Sequence, residues 1–384
     1  MIVIDASPAV HRKAGLGRYA EDLIGALVDE NGSERYAAFY HNAASARPSP
    51  IMERLTSIRH PQSSYRWRMV TLLAQLLGRR QDRVVAPPGG TLSLFHATEH
   101  LLPRITGAPT VFTLHDLIFR AYPRFHLPRN WIYLQVSMPL FLRRATQVIC
   151  VSEWTRRDAE RLYGLDAART HVVYEAAHPR FRPVRDPARL RAAREKYGLP
   201  ERFVFSLSTI EPRKNLLTLF DAWARLDAAA LGDFADAPLI IGGRQGWLTD
   251  ETYAAVKARG LDGRVRFTGY IEDDDLPALL SQAALFCFPS LYEGFGLPPL
   301  EAMACGAPTL SSNASCLPEV LGDAAEYAAP TDAGAWAAAI SRLLGDVGAR
   351  AELARRGPPQ AARYSWARAA RETEAVYATA LGQR

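Results

Sequence analysis

Residues 285–304 read Leu-Phe-Cys-Phe-Pro-Ser-Leu-Tyr-Glu-Gly-Phe-Gly-Leu-Pro-Pro-Leu-Glu-Ala-Met-Ala. The apolar run Leu285–Phe288 predicts a buried strand. Gly294 and Gly296 then leave backbone amides accessible beside a ligand, and Pro298-Pro299 prepare the first turn of a helix over 299–304. Ligands of open α/β sheets sit beyond the carboxyl ends of the strands, which is where this turn falls. Glu301, at the helix start, can accept a pair of vicinal hydroxyls, and Glu293, before the turn, can border the same pocket. Two acids that merely cap a helix would each contribute roughly 0.5–1 kcal/mol. An acidic pair alone would be read that way, but the whole nonapeptide Glu293–Glu301 is not.

The same alternation extends in both directions. Towards the N-terminus, buried strands are expected at Met1–Ala6, Tyr36–Tyr40, Leu94–Ala97, Thr110–Leu114, Gln147–Val151 and His171–Tyr174. Helical periodicity lies between them at Tyr19–Val28, Arg66–Leu77, Trp131–Arg144 and Glu153–Tyr163. A Pro- and Arg-rich stretch, Pro179–Pro187, reads as a linker. The pattern restarts with strands Phe203–Ser208, Leu239–Ile241 and Val265–Thr268 and helices Leu216–Leu226, Tyr253–Arg259 and Leu276–Gln282. Helices are expected to close the chain at Ala335–Leu344 and Trp366–Leu381. Two parallel, doubly wound α/β domains in tandem follow, with the cleft between them as the expected site.

The 384 residues carry 46 Lys and Arg against 40 Asp and Glu, a net charge of +6 that is mild for a nucleic-acid binder. The charge is uneven: residues 1–185 hold 25 cations and 15 carboxylates, the remainder 21 and 25. That contrast, +10 against −4, suggests two domains facing different partners. Cys150, Cys287, Cys305 and Cys316 show no C-x-x-C pair, so reduced thiols are expected and a zinc site is not. The opening Met-Ile-Val-Ile-Asp-Ala lacks a basic lead-in and apolar signal core and reads as a first strand. No run of about 18 apolar residues exists, so no membrane span is expected.

Three further segments carry chemistry. Gly15-Leu16-Gly17-Arg18-Tyr19 lies between a strand and a helix, where glycines let backbone amides approach an anion, but Ala20 stands where a dinucleotide fingerprint needs its third glycine. A plain strand–helix turn accounts for it nearly as well. His115-Asp116 ends the strand 110–114, where a carboxylate neighbour can fix a histidine's tautomer, although a lone histidine there is more often structural. Thr209-Ile210-Glu211-Pro212-Arg213-Lys214-Asn215 sets two cations just before a helix N-terminus, an arrangement that suits a phosphate or pyrophosphate.

Glu293 and Glu301, seven residues apart in this context, resemble the E-x7-E motif of retaining glycosyltransferases of family 4, which have the GT-B fold of two Rossmann-like domains. The resemblance covers nearly the whole chain, including Gly15–Gly17, His115-Asp116, Val151-Ser152-Glu153, Glu211–Asn215 and Leu317-Pro318-Glu319-Val320. It implies an N-terminal acceptor domain over 1–182, a nucleotide-sugar domain over 183–363, and a helix over 364–384 that packs back on the first. By the same resemblance, Arg213 and Lys214 neutralise the pyrophosphate leaving group, so no metal and no cofactor are required. Glu301 would hold the ribose hydroxyls and Glu293 the donor hexose. Thr209, Gly294, Phe295, Gly296 and Leu297 would support sugar and phosphate, with Tyr270 and Ile271 near the nucleobase. His115 would contact the donor sugar, Gly15 and Gly17 would close over the diphosphate, and Asp116 would meet the acceptor. Many relatives carry a glycine where this chain has Ser206-Leu207-Ser208-Thr209. The E-P-R-K-N variant is similar to members that use GDP-mannose or related GDP-sugars.

The implied activity is transfer of mannose or a related deoxyhexose to a saccharide or polyprenyl-linked acceptor in envelope polysaccharide assembly. Arg66, Arg68, Arg79 and Arg80 bracket the apolar stretch Met69–Leu77, and Arg143-Arg144 follow Trp131–Leu142. These patterns suit an anionic membrane surface and a peripheral protein on the cytoplasmic face of the inner membrane. Core helices with solvated arginine ends account for either stretch singly. A soluble small-molecule or sugar-phosphate glycosyltransferase is the alternative enzyme, and a non-catalytic GT-B partner a weaker one. Nucleic acid is not an expected partner, because the basic residues lack interleaved aromatics in a known module.

Overall fold

The computed structural model describes residues 1–382. Its contacts divide the chain into two compact units: residues 1–175 together with the segment from Ser365, and Ala176–Tyr364. Each unit is built on one parallel sheet. The N-terminal sheet has seven strands in the order β3-β2-β1-β4-β5-β6-β7. These are β1 (Ile2–Asp5), β2 (Tyr36–Tyr40), β3 (Thr56–Arg59), β4 (Leu94–Ala97), β5 (Thr110–Leu114), β6 (Gln147–Cys150) and β7 (Thr170–Val172). The C-terminal sheet has six, in the order β10-β9-β8-β11-β12-β13. They are β8 (Val204–Leu207), β9 (Leu239–Gly242), β10 (Val265–Gly269), β11 (Leu285–Phe288), β12 (Thr309–Ser312) and β13 (Glu326–Ala328).

Both strand orders reverse direction once, between β1 and β4 and between β8 and β11. Right-handed crossovers therefore place helices on both faces of each sheet and open a crevice at each reversal. In the N-terminal unit, Trp67, Leu72, Phe141 and Leu142 cover one face with Phe39, Phe95 and Phe112 beneath them. Helix Ala14–Asn31 covers the other with helix Trp366–Ala380 packed beside it. The closing helix is fixed by polar contacts: Tyr377 Oη meets His96 Nδ1 at 2.7 Å, and Arg35 donates to Glu374 at 2.5 Å. In the C-terminal unit, Leu219, Trp223, Trp336 and Ile340 pack on Val204, Leu239, Leu285 and Leu310.

Besides several one-turn helices, three strands and two longer helices lie outside the sequence expectation. β3 is an exposed edge strand, Thr-Ser-Ile-Arg, with one buried side chain to mark it. β12, Thr-Leu-Ser-Ser, is fully buried but mostly polar, and its hydroxyls are satisfied locally, Ser312 donating to Ser290 O at 2.5 Å. β13 is three residues long. The expected linker ends in a helix, Pro187–Lys196, which Pro187 starts at its first turn and Asp186 caps. Helix Val347–Ala361 runs through Gly357-Pro358-Pro359. A β-carbon on Gly357 would stand 2.9 Å from Met303 O, so the glycine lets this helix lie close against helix 297–304.

Candidate active site

The crevice at β8 and β11 holds a buried four-charge cluster. After β8 the chain makes a single 3-10 turn, Pro212–Lys214, and Asn215 then adopts a left-handed conformation, φ 57°, before helix Leu216–Ala224. Asn215 ties this turn to the segments that follow β11 and β13, donating to Pro289 O at 3.0 Å and to Pro330 O at 2.6 Å. The loop after β11 returns the contact through Leu291 N to Arg213 O, 3.0 Å. Arg213 and Lys214 are thereby set against Glu293: Nη1 to Oε2 and Nζ to Oε1 are each 2.6 Å. Arg213 Nη2 also meets Glu211 at 2.5 Å, and Ser290 donates to Glu293 Oε1 at 2.6 Å.

Burial alone would raise the Glu293 carboxyl, but the charges of Arg213 and Lys214 and its hydrogen bonds pull it down to about 2. Burial pushes the Lys214 ammonium below its usual range, and Arg213 adds to this, while Glu293 and Glu211 oppose it. Two cations and two carboxylates thus cancel, and their buried positions are held by mutual pairing.

Glu301 is buried in helix Leu297–Ala304, in its second turn rather than at its start. Gly296 precedes that helix with φ 99°, and a β-carbon there would lie 2.8 Å from Leu317, so glycine is required by both backbone and space. Phe295 is buried edge-on to Tyr364. Tyr270, beyond β10, is exposed with Arg244 stacked over it at 4.1 Å, whereas Ile271 is buried against Gly242. Thr209 lies beside a glycine loop that the sequence reading passed over. Gly243 (φ 127°) and Gly246 follow β9, and β-carbons on them would stand 1.9 Å from Ser208 O and 2.6 Å from Ile210 O. A glycine pair after a strand was the available signal, and its role is to let the loop press the 208–214 segment into place.

In the N-terminal unit, His115 is buried with both ring nitrogens engaged, Nδ1 with Glu175 at 3.3 Å and Nε2 with Thr98 O at 2.9 Å. Burial would lower the imidazole, but the Glu175 carboxylate, the Thr98 carbonyl and Asp116 outweigh it and raise its pKa. Glu175, the orienting carboxylate, lies sixty residues downstream and carried no motif. Asp116 accepts from Ile118 N at 3.1 Å, which commits one carboxylate oxygen to a local turn. Gly15 and Gly17 do not form a loop. Both sit in the first turn of helix Ala14–Asn31, Gly15 facing open space and Gly17 packed where a β-carbon would meet Pro8 O at 2.9 Å.

The chain matches two family descriptions, Glycosyltransferase Family 4 over residues 14–180 and Glycosyl transferases group 1 over 191–359. It is 31% identical over 385 aligned residues to the O-antigen chain mannosyltransferase B of Escherichia coli, covering 98% of this chain and 99% of that one. The chain belongs to glycosyltransferase family 4. The serotype-specific mannosyltransferase WbdA of Escherichia coli is 33% identical over 68% of this chain, a match that spans 32% of WbdA. HepE of Anabaena, solved with UDP and glucose, superimposes with a TM-score of 0.73 at 19% identity, covering 98% of this chain and 99% of that one. This glycosyltransferase therefore has the GT-B fold that the E-x7-E resemblance implied. Glu293 of the acidic motif and Arg213 and Lys214 of the basic one are in contact in its C-terminal crevice.

Proposed function

We propose that this glycosyltransferase moves a mannosyl or related deoxyhexosyl residue from a GDP-sugar to a saccharide or polyprenyl-linked acceptor, with retention, in O-antigen assembly. The observation that carries the reading is the buried Arg213–Lys214–Glu293 cluster at the strand-order reversal. The likeness to an O-antigen mannosyltransferase along the full chain supports the sugar and the pathway. In this reading the two cations neutralise charge developing on the departing diphosphate, and Glu293 and Glu301 hold donor hydroxyls. The acceptor hydroxyl attacks from the face the diphosphate leaves, and a departing phosphate oxygen takes its proton. Positioning and fixed charge then supply the rate, and no metal is needed. The test is a panel of GDP-mannose, GDP-fucose, UDP-glucose and UDP-galactose assayed in EDTA. Turnover is expected with a GDP-sugar only, and Arg213→Ala or Lys214→Ala should each lower kcat by about 10²–10³. Strict dependence on a divalent ion, or near-normal turnover in both variants, removes the assignment.

A membrane-facing role is proposed on a separate observation. No helix among the described residues is long and apolar enough to cross a membrane. Two helices of the N-terminal unit nevertheless expose apolar rows. On helix Ser64–Leu77 the outward row is Arg66, Val70, Leu73, Leu77 and then Arg80; on helix Pro128–Arg144 it is Arg129, Ile132, Val136, Pro139 and Arg143. Leu77 is 63% exposed and Ile132 56%. The helices adjoin, with Arg68 donating to Asn130 at 2.9 Å and Arg129 over the Tyr65 ring. No Asp or Glu occurs in residues 54–81 or 117–152. An apolar face rimmed by arginines and free of acids complements an anionic lipid surface.

A further inference from the structure

One buried histidine joins four strand ends. Strands β4, β5, β6 and β7 lie side by side in the N-terminal sheet. His115 directly follows β5, and the segments leaving the other three all reach it. Its Nε2 meets Thr98 O, after β4, at 2.9 Å, and its Nδ1 meets Glu175, after β7, at 3.3 Å. Thr155, after β6, donates from Oγ1 to the His115 carbonyl at 3.3 Å. The His115 amide donates to His100 Nε2 at 3.4 Å, a second tie to the segment after β4. Both His115 and Glu175 are buried.

These partners fix the state of the ring. A carbonyl and a carboxylate are both acceptors, so each ring nitrogen must donate, and a ring donating from both is an imidazolium. A neutral ring would turn a lone pair towards either Thr98 O or Glu175 in a place that water does not reach. The surrounding groups suit a single positive charge. Burial opposes it, but Glu175, the Thr98 carbonyl and Asp116 outweigh burial. Burial holds His96 down to about 3 and His100 to about 4, so neither adds a like charge at pH 7. Glu99 and Arg68, of opposite sign, act on His100 alongside Asp116. The Tyr19 ring stands perpendicular to that of His115 with centroids 4.6 Å apart, and its phenol, raised by burial, stays neutral.

We propose that Glu175 is a positioning residue that keeps His115 an imidazolium, and that this charged ring clamps the strand-end segments along one side of the N-terminal crevice. Both ring N–H groups are spent within the protein, so the ring serves by holding the crevice wall and has no lone pair with which to act as a base. Losing the proton turns one nitrogen into an acceptor and frees either the segment from Thr98 or the one that carries Glu175. Because folding raises the pKa above the ordinary 6.5, the clamp is complete below 6.5 and loosens as pH rises through the raised value.

The test titrates the full chain, labelled with 15N-histidine, by NMR, with the His115 signals assigned by their loss in His115→Gln. Wild-type His115 is expected to carry both ring protons at pH 7 with a midpoint above 6.5, and Glu175→Gln to lower that midpoint by about one pH unit or more. Amide exchange at residues 98–100, 152–155 and 173–175, corrected for its intrinsic pH dependence, should quicken above the midpoint. In turnover of a GDP-sugar, the alkaline limb of kcat should move acidward in Glu175→Gln by the same interval, which a plain loss of stability would not produce. That last measurement rests on the glycosyl-transfer reading above, and the first two do not. Wild type without turnover therefore removes that reading and leaves the clamp to be decided by titration and exchange. A neutral ring at pH 7, equal midpoints in the two proteins, or exchange that ignores the midpoint overturns the clamp. An alkaline limb that stays put while the midpoint moves overturns its part in turnover. Should either variant fail to fold, neutron diffraction from wild-type crystals at pH 7 decides: deuterium on both ring nitrogens of His115 supports the clamp, and deuterium on one overturns it.

Discussion

Glu293 accepts from Arg213, Lys214 and Ser290 within one cluster, and removing its charge strands the buried Lys214 and the half-buried Arg213. Breaking a buried pair in this way costs about 3–5 kcal/mol, so Glu293→Gln should lower the thermal midpoint even without substrate. The pH dependence has a definite sign. The carboxyl falls from its ordinary 4.5 to about 2 on folding, so its stabilisation is complete above 4.5 and lost as pH drops from about 4.5 towards 2. Denaturation profiles should show wild type losing stability across that window and Glu293→Gln losing distinctly less; parallel profiles would refute the cluster's role. At this scale the sequence was informative about identity but not state. It marked Arg213, Lys214 and Glu293 for a ligand, yet could not show that they pair with one another first. It marked His115 but not Glu175, and Asp116 but not Glu99, because a carboxylate without a motif becomes visible only when folding sets it beside an imidazole.

The helix Ala14–Asn31 shows how element boundaries shift a residue's meaning. Gly15 and Gly17 read as a connection between a strand and a helix, but here both are helical and differ in their surroundings. Gly15→Ala adds a methyl to open space and removes the entropic cost of a helical glycine, so stability should hold or rise by up to about 0.5–1 kcal/mol. Gly17→Ala forces a β-carbon to 2.9 Å from the backbone of Pro8, so its midpoint should fall. Thermal melts of the two single variants test this, and equal midpoints would contradict the packing. Strands and helices with strong apolar periodicity were legible: Tyr36–Tyr40, Leu94–Ala97, Thr110–Leu114, Leu285–Phe288 and Glu153–Tyr163 fall where the pattern puts them. β12 did not, since its burial is satisfied by hydroxyl hydrogen bonds rather than by apolar side chains.

At the scale of the whole molecule, the uneven charge of the sequence resolves into surface and site. In the N-terminal unit, arginines at both ends of two exposed apolar rows make a candidate lipid-facing surface. Each such cation is worth roughly 1 kcal/mol at an anionic surface, about fivefold in partitioning. Co-sedimentation should therefore rise with phosphatidylglycerol content, fall with added salt, and drop about fivefold for each of Arg66→Gln and Arg129→Gln. Binding that ignores lipid charge would sink the surface assignment. The sequence by itself determined the α/β class, the two sheets and the family, because hydrophobic periodicity and short motifs are local properties of a chain. The tertiary structure alone decided which apolar residues of helix 64–77 are core and which face outward. It also decided that four charges cancel in one crevice and that Lys13, far away in sequence, pairs with Glu99 in another. Those outcomes depend on contacts between residues far apart in sequence, where burial and electrostatics are set by neighbours that no local pattern encodes.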